Sequence, residues 1–210
     1  MIIKLTKTDL KKCTGFSDKF QKKSDGLYNR RGEARNEKIR EDIVLGKMGE
    51  LAVEKYFKKL KWDIGKDTDF AIYEKHQRSY DCDLVVSPPD ERDPFLIHVK
   101  TQSVTSVLRY GISYLFQKTD PVIREPTNKD IIACTAVVSD NEVEIYGFIS
   151  LEDVIKNELI GECKVPSYRS TKVAMYIPKN TPLFENFHIH LEWFLYGREF
   201  HIYQYMTPSF

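Results

Sequence analysis

The chain has 210 residues, with 32 Lys and Arg against 31 Asp and Glu, so its formal net charge is only +1. Hydrophobic residues make up 41%, enough apolar material for one core, which excludes a chain disordered throughout. No apolar run approaches the ~20 residues that span a bilayer, and residues 1–5 show no secretory signal, so a cytoplasmic protein with no membrane partner is expected.

Charge is uneven along the chain. Residues 4–40 hold twelve basic and five acidic side chains, a net of +7, which leaves the remainder acidic. A basic arm on an acidic body points to a polyanionic partner, although a solvated basic helix face has the same composition. Residues 1–30 read as short helices and loops. From Glu33 to Lys61 the period is helical, with Ile39, Ile43, Gly46, Val53, Phe57 and Leu60 along one stripe. Trp62-Asp63-Ile64-Gly65 then ends the helix and turns the chain.

Ala71-Ile72-Tyr73 reads as a short strand. Tyr80 to Val86 reads as a longer one, stopped by Ser87-Pro88-Pro89, and Phe95 to Gln102 as its hairpin partner. Residues 103–129 form a helix or long loop. Asp130 to Ser139 is the most apolar segment and predicts a buried central strand, followed by another from Glu142 to Ser150. Leu151 to Leu159 is a short helix with Ser150 as its N-cap. From Lys164 onward there is no clear period, but aromatic residues are dense, from Phe184 to Phe210. The order predicts an α/β (α+β) chain with a central mixed sheet flanked by helices. The divisions are a basic helical arm over 1–32, a core over 33–160, and an aromatic-rich extension over 161–210 that packs on the core or forms an interface.

Cys13, Cys82, Cys134 and Cys163 are scattered, with no C-x-x-C pair, and read as reduced, buried thiols rather than a zinc site. His188 and His190 alternate on one segment, where a half-exposed strand explains them as well as a metal does. No P-loop, G-x-G-x-x-G or G-x-S-x-G run occurs, so neither a nucleotide cofactor nor a serine nucleophile is supported.

Two features carry chemistry. Glu50 lies in the same stripe as Ile43, Gly46, Val53 and Phe57, and a carboxylate on a core-facing stripe is costly unless paired. In the hairpin, alternation puts Asp81 and Asp83 on one face and Cys82 and Leu84 on the other. On the partner strand His98 and Lys100 share a face, and Ile97 and Val99 the opposite one. If Asp83 and Lys100 lie on the same side, one face of the hairpin presents Asp, Asp, His and Lys, and that face is either solvated or suited to a hard divalent cation.

The runs Gly46-Lys47-Met48-Gly49-Glu50-Leu51-Ala52, Tyr80-Asp81-Cys82-Asp83-Leu84-Val85-Val86 and His98-Val99-Lys100-Thr101-Gln102, followed by Asp130-Ile131-Ile132, resemble the PD-(D/E)XK nucleases over about residues 33–155. The resemblance implies a restriction-endonuclease-like core. It implies a Mg²⁺- or Mn²⁺-dependent endonuclease that hydrolyses phosphodiesters, most often in double-stranded DNA, in restriction or phage defence, recombination or repair. Asp83 would be the principal metal ligand, Glu50 a further ligand or ligand orienter, and the Val99 carbonyl would face the metal. Lys100 would orient or activate the attacking water, and Gln102 would lie near the substrate backbone. Independently of the resemblance, Lys22, Lys23, Arg30, Arg31 and Arg35 of the basic stretch over 4–40 would track phosphates. Members of the family often pair two active sites, so a homodimer is an expectation.

One position departs from the pattern. The family has Asp or Glu two residues before the lysine, where this chain has His98. Glu50 or Asp81 supplies the missing carboxylate, or His98 is itself a ligand or proton carrier, or the site is inactive. The last alternative leaves a nucleic-acid-binding protein. An assembly protein using the aromatic C-terminal segment is a further alternative.

Overall fold

The computed structural model describes residues 1–23, 36–72, 82–89 and 93–177. Strand β1 (Ile2–Lys4) leads into helix α1 (Lys7–Lys23). The start of α1 is fixed by a reciprocal cap: the Thr6 N–H donates to Asp9 Oδ2 at 2.7 Å, and the Asp9 N–H donates to the Thr6 hydroxyl at 3.2 Å. Of the residues expected to be short helices and loops, 1–23 hold one strand and a 17-residue helix, and 24–30 lie outside the described residues.

Helix α2 (Asn36–Lys59) carries Glu37 in its first turn and Lys58 and Lys59 in its last, which suits the helix dipole at both ends. It ends in a Schellman arrangement. The Trp62 N–H donates to the Phe57 carbonyl and the Lys61 N–H to the Lys58 carbonyl, with Lys61 in the left-handed region at φ 61°. The Trp62 and Phe57 rings meet at 5.0 Å and provide the apolar contact of that motif. The expected turn at residues 62–65 is therefore a cap followed directly by strand β2 (Asp63–Lys66).

Strands β3 (Leu84–Ser87) and β4 (Phe95–Ser103) form the expected antiparallel hairpin, and β2 pairs on the outer side of β3. The 103–129 stretch holds helix α3 (Val104–Tyr110), strand β5 (Ile112–Gln117) and helix α4 (Pro121–Arg124). This crossover lets β6 (Asp130–Ser139) pair parallel to β4, and β7 (Glu142–Ser150) then runs antiparallel to β6. Helix α5 (Leu151–Lys156) is capped by the Ser150 hydroxyl, which accepts the Asp153 N–H at 3.0 Å. Strands β8 (Ile160–Glu162) and β9 (Lys172–Ile177) complete the described chain. Ala71 and Ile72 are not in a strand; Tyr73 lies outside the described residues.

The main sheet has the order β1-β7-β6-β4-β3-β2, and β5-β9-β8 form a second, three-stranded sheet. Alternation along β6 divides the core. Ile131 and Ala133 face α2 and join Val53, Phe57, Leu84, Ile97 and Phe148. Ile132 and Cys134 face the other way, toward Tyr114 and Phe116 of β5, Met175 of β9 and Val154 of α5. Strand β6 is covered on both faces, which explains its unbroken apolar run. The architecture is a mixed sheet flanked by helices. Strand β1 belongs to the main sheet through β7, and β9 binds the segment after residue 160 to β5. All four cysteines are buried and none is in a disulfide, as their scatter predicts. Among the described residues no helix is long and apolar enough to cross a membrane.

Candidate active site

Helix α2 lies against β4 at Gly49. A Cβ there would meet the Thr101 hydroxyl oxygen at 1.9 Å and the Thr135 hydroxyl oxygen at 2.9 Å, so only glycine permits this approach. The contact brings the next residue, Glu50, to the sheet with its side chain only 13% exposed.

Asp83 stands where β3 leaves its partner. Its N–H donates to the Ile97 carbonyl at 2.9 Å, and the paired strand begins only at Leu84, so Cys82 and Asp83, expected within the strand, precede it. The Val99 N–H donates to Asp83 Oδ2 at 2.7 Å. A strand N–H lies in the plane of its sheet, so the carboxylate sits level with β4. The Val99 carbonyl points to the same side of the strand as its N–H. Lys66 of β2 holds the approach to this point, donating from Nζ to the Cys82 carbonyl at 2.5 Å.

Glu50 lies within electrostatic reach of Asp83. Burial pushes the Glu50 carboxyl up to about 7, and the Asp83 charge adds to the push. Lys47 opposes both, with Nζ 2.6 Å from Glu50 Oε2, and Asp69 contributes further negative charge. Two carboxylates with this repulsion between them have the donor chemistry of a hard cation. Mg²⁺ is commonly held by one or two carboxylates while it keeps several waters, so Glu50, Asp83 and the Val99 carbonyl edge fit it as a partial ligand set. Among the described residues no group of three or more His, Cys, Asp or Glu side chains is arranged around one metal position. Asp81 lies outside the described residues, as do Arg30, Arg31, Arg35, His188, His190 and the aromatic residues beyond 177.

The other expected residues point elsewhere. Val99 packs on the α2-side core and Thr101 faces Gly49, so alternation sends His98, Lys100 and Gln102 to the opposite face. Lys100 Nζ lies 4.6 Å from the centre of the Phe116 ring on β5. His98 is buried, with Nε2 2.8 Å from Asp130 Oδ1. Burial raises the Asp130 carboxyl, but Thr127 and His98 outweigh it and hold it below the usual range. Gln102 is buried too: its Oε1 accepts the Ser113 N–H at 2.9 Å, and its Nε2 donates to the Gly111 carbonyl at 3.3 Å. His98 and Gln102 thus tie β4 to the starts of β6 and β5. Lys22 is exposed on α1, and Lys23 is that helix's last residue.

Sequence reasoning missed Lys47 and Asp69. For Lys47 a signal was present, since it stands three residues before Glu50 and therefore on the same side of the helix. Asp69 follows β2 in a segment with no period to place it.

No family model matches this chain, and no curated protein or solved structure matches it either.

Proposed function

We propose that this chain is a divalent-metal-dependent endonuclease that hydrolyses phosphodiester bonds, with DNA as its first candidate substrate, on a restriction-endonuclease-like core. One observation carries the reading: Asp83, held on β4 by the Val99 N–H at 2.7 Å, lies close enough to the buried Glu50 of α2 for its charge to help raise the Glu50 carboxyl. The order of elements supports it. A long helix, an antiparallel run β2-β3-β4, a crossover and a parallel β6 follow the order in which the PD-(D/E)XK nucleases, which the sequence resembles, carry their motifs.

In this reading Glu50 and Asp83 hold Mg²⁺ or Mn²⁺ together with the Val99 carbonyl. The bound ion would polarise the phosphate and lower the pKa of a water. The chain itself contributes position. The Val99 N–H fixes the orientation of Asp83, Lys47 fixes that of Glu50, and the Gly49–Thr101 contact sets how close α2 comes to β4. The Glu50 carboxyl must be ionised to act, so activity belongs to neutral and higher pH.

A silent nucleic-acid-binding module is the second reading, and a specific observation favours it: His98 and Lys100, the pair at the motif positions, face away from α2 and toward Asp130 and Phe116. The assembly alternative rests on residues beyond 177.

The test is to incubate plasmid, linear and single-stranded DNA, and RNA, with the protein in Mg²⁺, Mn²⁺ or EDTA, comparing wild type with Asp83→Asn and Glu50→Gln. Cutting that needs a divalent ion and falls at least ~100-fold in both variants supports the nuclease. Salt-sensitive binding without cutting supports the module. Cutting that survives both changes removes this site from the reaction.

A further inference from the structure

We infer that Lys47, rather than Lys100, is the ammonium that serves the Glu50–Asp83 pair and contacts the phosphate brought there. The inference rests on the hydrolytic reading above and adds to it the residue that supplies fixed positive charge.

Position comes first. Lys47 precedes Glu50 by one helical turn, and its Nζ lies 2.6 Å from Glu50 Oε2. Lys100 departs from β4 on the other face, toward the core formed by β5, β6 and β9. Of the two lysines, only Lys47 is in contact with a member of the acid pair.

Its surroundings are built rather than incidental. The Lys47 side chain is 15% exposed, against 60% for Lys38 in the pair that Lys38 makes with Asp42 on the same helix. The Lys47 ammonium lies 5.1 Å from the centre of the Phe16 ring and 5.7 Å from that of Phe70. Phe16 comes from α1 and Phe70 from the segment after β2, and the two rings meet edge to face at 5.8 Å. Two aromatic faces and one carboxylate hold a cation in place while taking up only one of its three N–H donors. A long, flexible side chain gives up about 2 kcal/mol of rotamer entropy when held this way. An exposed i,i+3 pair would return little of that.

The chemistry follows from charge. Hydrolysis builds negative charge on the non-bridging phosphate oxygens, and a preplaced cation in a poorly hydrated site stabilises that charge without having to reorganise. Glu50 holds the ammonium beside the acids until a phosphate arrives, and the remaining N–H groups are then available to its oxygens. Lys100, stacked on Phe116, contributes to packing and to the polarity of the opposite face.

Two measurements test this, using wild type, Lys47→Met, Lys47→Arg, Lys100→Met and, as a control at the exposed end of α2, Lys59→Met. The first is single-turnover cutting of a DNA duplex in Mg²⁺. Lys47→Met is expected to lose ~100-fold or more. Lys47→Arg should recover part of that, Lys100→Met should lose less than Lys47→Met, and Lys59→Met should match wild type. The second is binding of the same duplex in EDTA over a series of KCl concentrations. It is done on the Asp83→Asn background, where a phosphate meets less negative charge and nothing is cut. Removing one phosphate-contacting lysine lowers the slope of log affinity against log salt by about one. Lys47→Met should show that change, Lys47→Arg should not, and thermal melts of all variants identify any that fail to fold.

Acid-dependent cutting that is unchanged in Lys47→Met, or lost in Lys100→Met with the salt slope following it, overturns the inference and leaves the nuclease reading standing. A Lys47-dependent slope in a protein that never cuts keeps the phosphate contact and ends the hydrolytic reading. Absence of both binding and cutting ends both.

Discussion

Gly49 and Thr101 stand at a tight contact between helix α2 and strand β4: a methyl group on Gly49 would lie 1.9 Å from the Thr101 hydroxyl oxygen. That distance is not accommodated by rotating one side chain, because Thr101 Cβ and the Thr135 hydroxyl oxygen stand at 3.0 and 2.9 Å. Gly49→Ala is therefore expected to destabilise the protein by about 1–3 kcal/mol through overpacking. Because Glu50 is the next residue, the same change should also reduce any activity of the site. Gly46, one turn earlier, has nothing within 4 Å of its would-be Cβ among the described residues. Gly46→Ala should stabilise the helix by about 0.5–1 kcal/mol. Urea unfolding of the two variants beside wild type checks both signs.

The raised Glu50 carboxyl makes stability depend on pH in a defined direction. Its folded pKa of about 7 lies above the ordinary value of 4.5, so between these limits the folded state binds more protons than the unfolded one. Stability then falls as pH rises through that window and gains nothing from this group above it. Glu50→Gln removes the proton and with it the slope. The difference in urea midpoint between pH 5 and pH 8, measured in EDTA, should shrink in this variant. An unchanged difference would show that Glu50 is not the group responsible.

His98→Glu restores the acidic residue that the PD-(D/E)XK pattern has two positions before its lysine. The structure predicts damage rather than gain. The His98 ring is buried against Asp130 at 2.8 Å, so a carboxylate there would replace a favourable partner with a like charge. A loss on the order of 3–5 kcal/mol is expected, comparable to breaking a buried ion pair. Thermal melting reads it directly. A stable variant with increased cutting would mean that the position faces the acid pair after all.

What was legible in the sequence follows from what has a period. Strand β6 announced itself because both its faces are buried, and Ser150 announced α5 because a cap is a local feature. Glu50 stood out as a charge on an apolar stripe. The face of Lys100 was not legible. Alternation correctly separated His98 and Lys100 from Ile97 and Val99, but it could not say which face meets α2; that depends on the Gly49–Thr101 contact between distant parts of the chain. The place of Asp83 just before β3 was hidden for a similar reason, since the start of β3 is set by the pairing of Leu84 with Ile97 of the neighbouring strand. Strand β5 escaped because its polar and apolar residues are sorted by the second sheet, whose partners β8 and β9 lie more than forty residues away.

The same carboxyl that sets the pH dependence of stability should set that of metal uptake, with the opposite sign. A cation binds ionised carboxylates, so below about 7 it must displace the Glu50 proton. Affinity for Mn²⁺ should rise by up to roughly tenfold per pH step below that point and level off above it. Calorimetric titration with Mn²⁺ in two buffers of different ionisation enthalpy measures the proton directly. Release should approach one proton per ion near pH 6 and fall toward zero by pH 8. Glu50→Gln should bind more weakly, with no proton released in this range, while Asp83→Asn should bind more weakly and also bring the Glu50 carboxyl down, because the charge that helps to raise it is gone. Mn²⁺ binding without proton release at pH 6 in wild type would place the ion away from Glu50 and remove the helix acid from the proposed site.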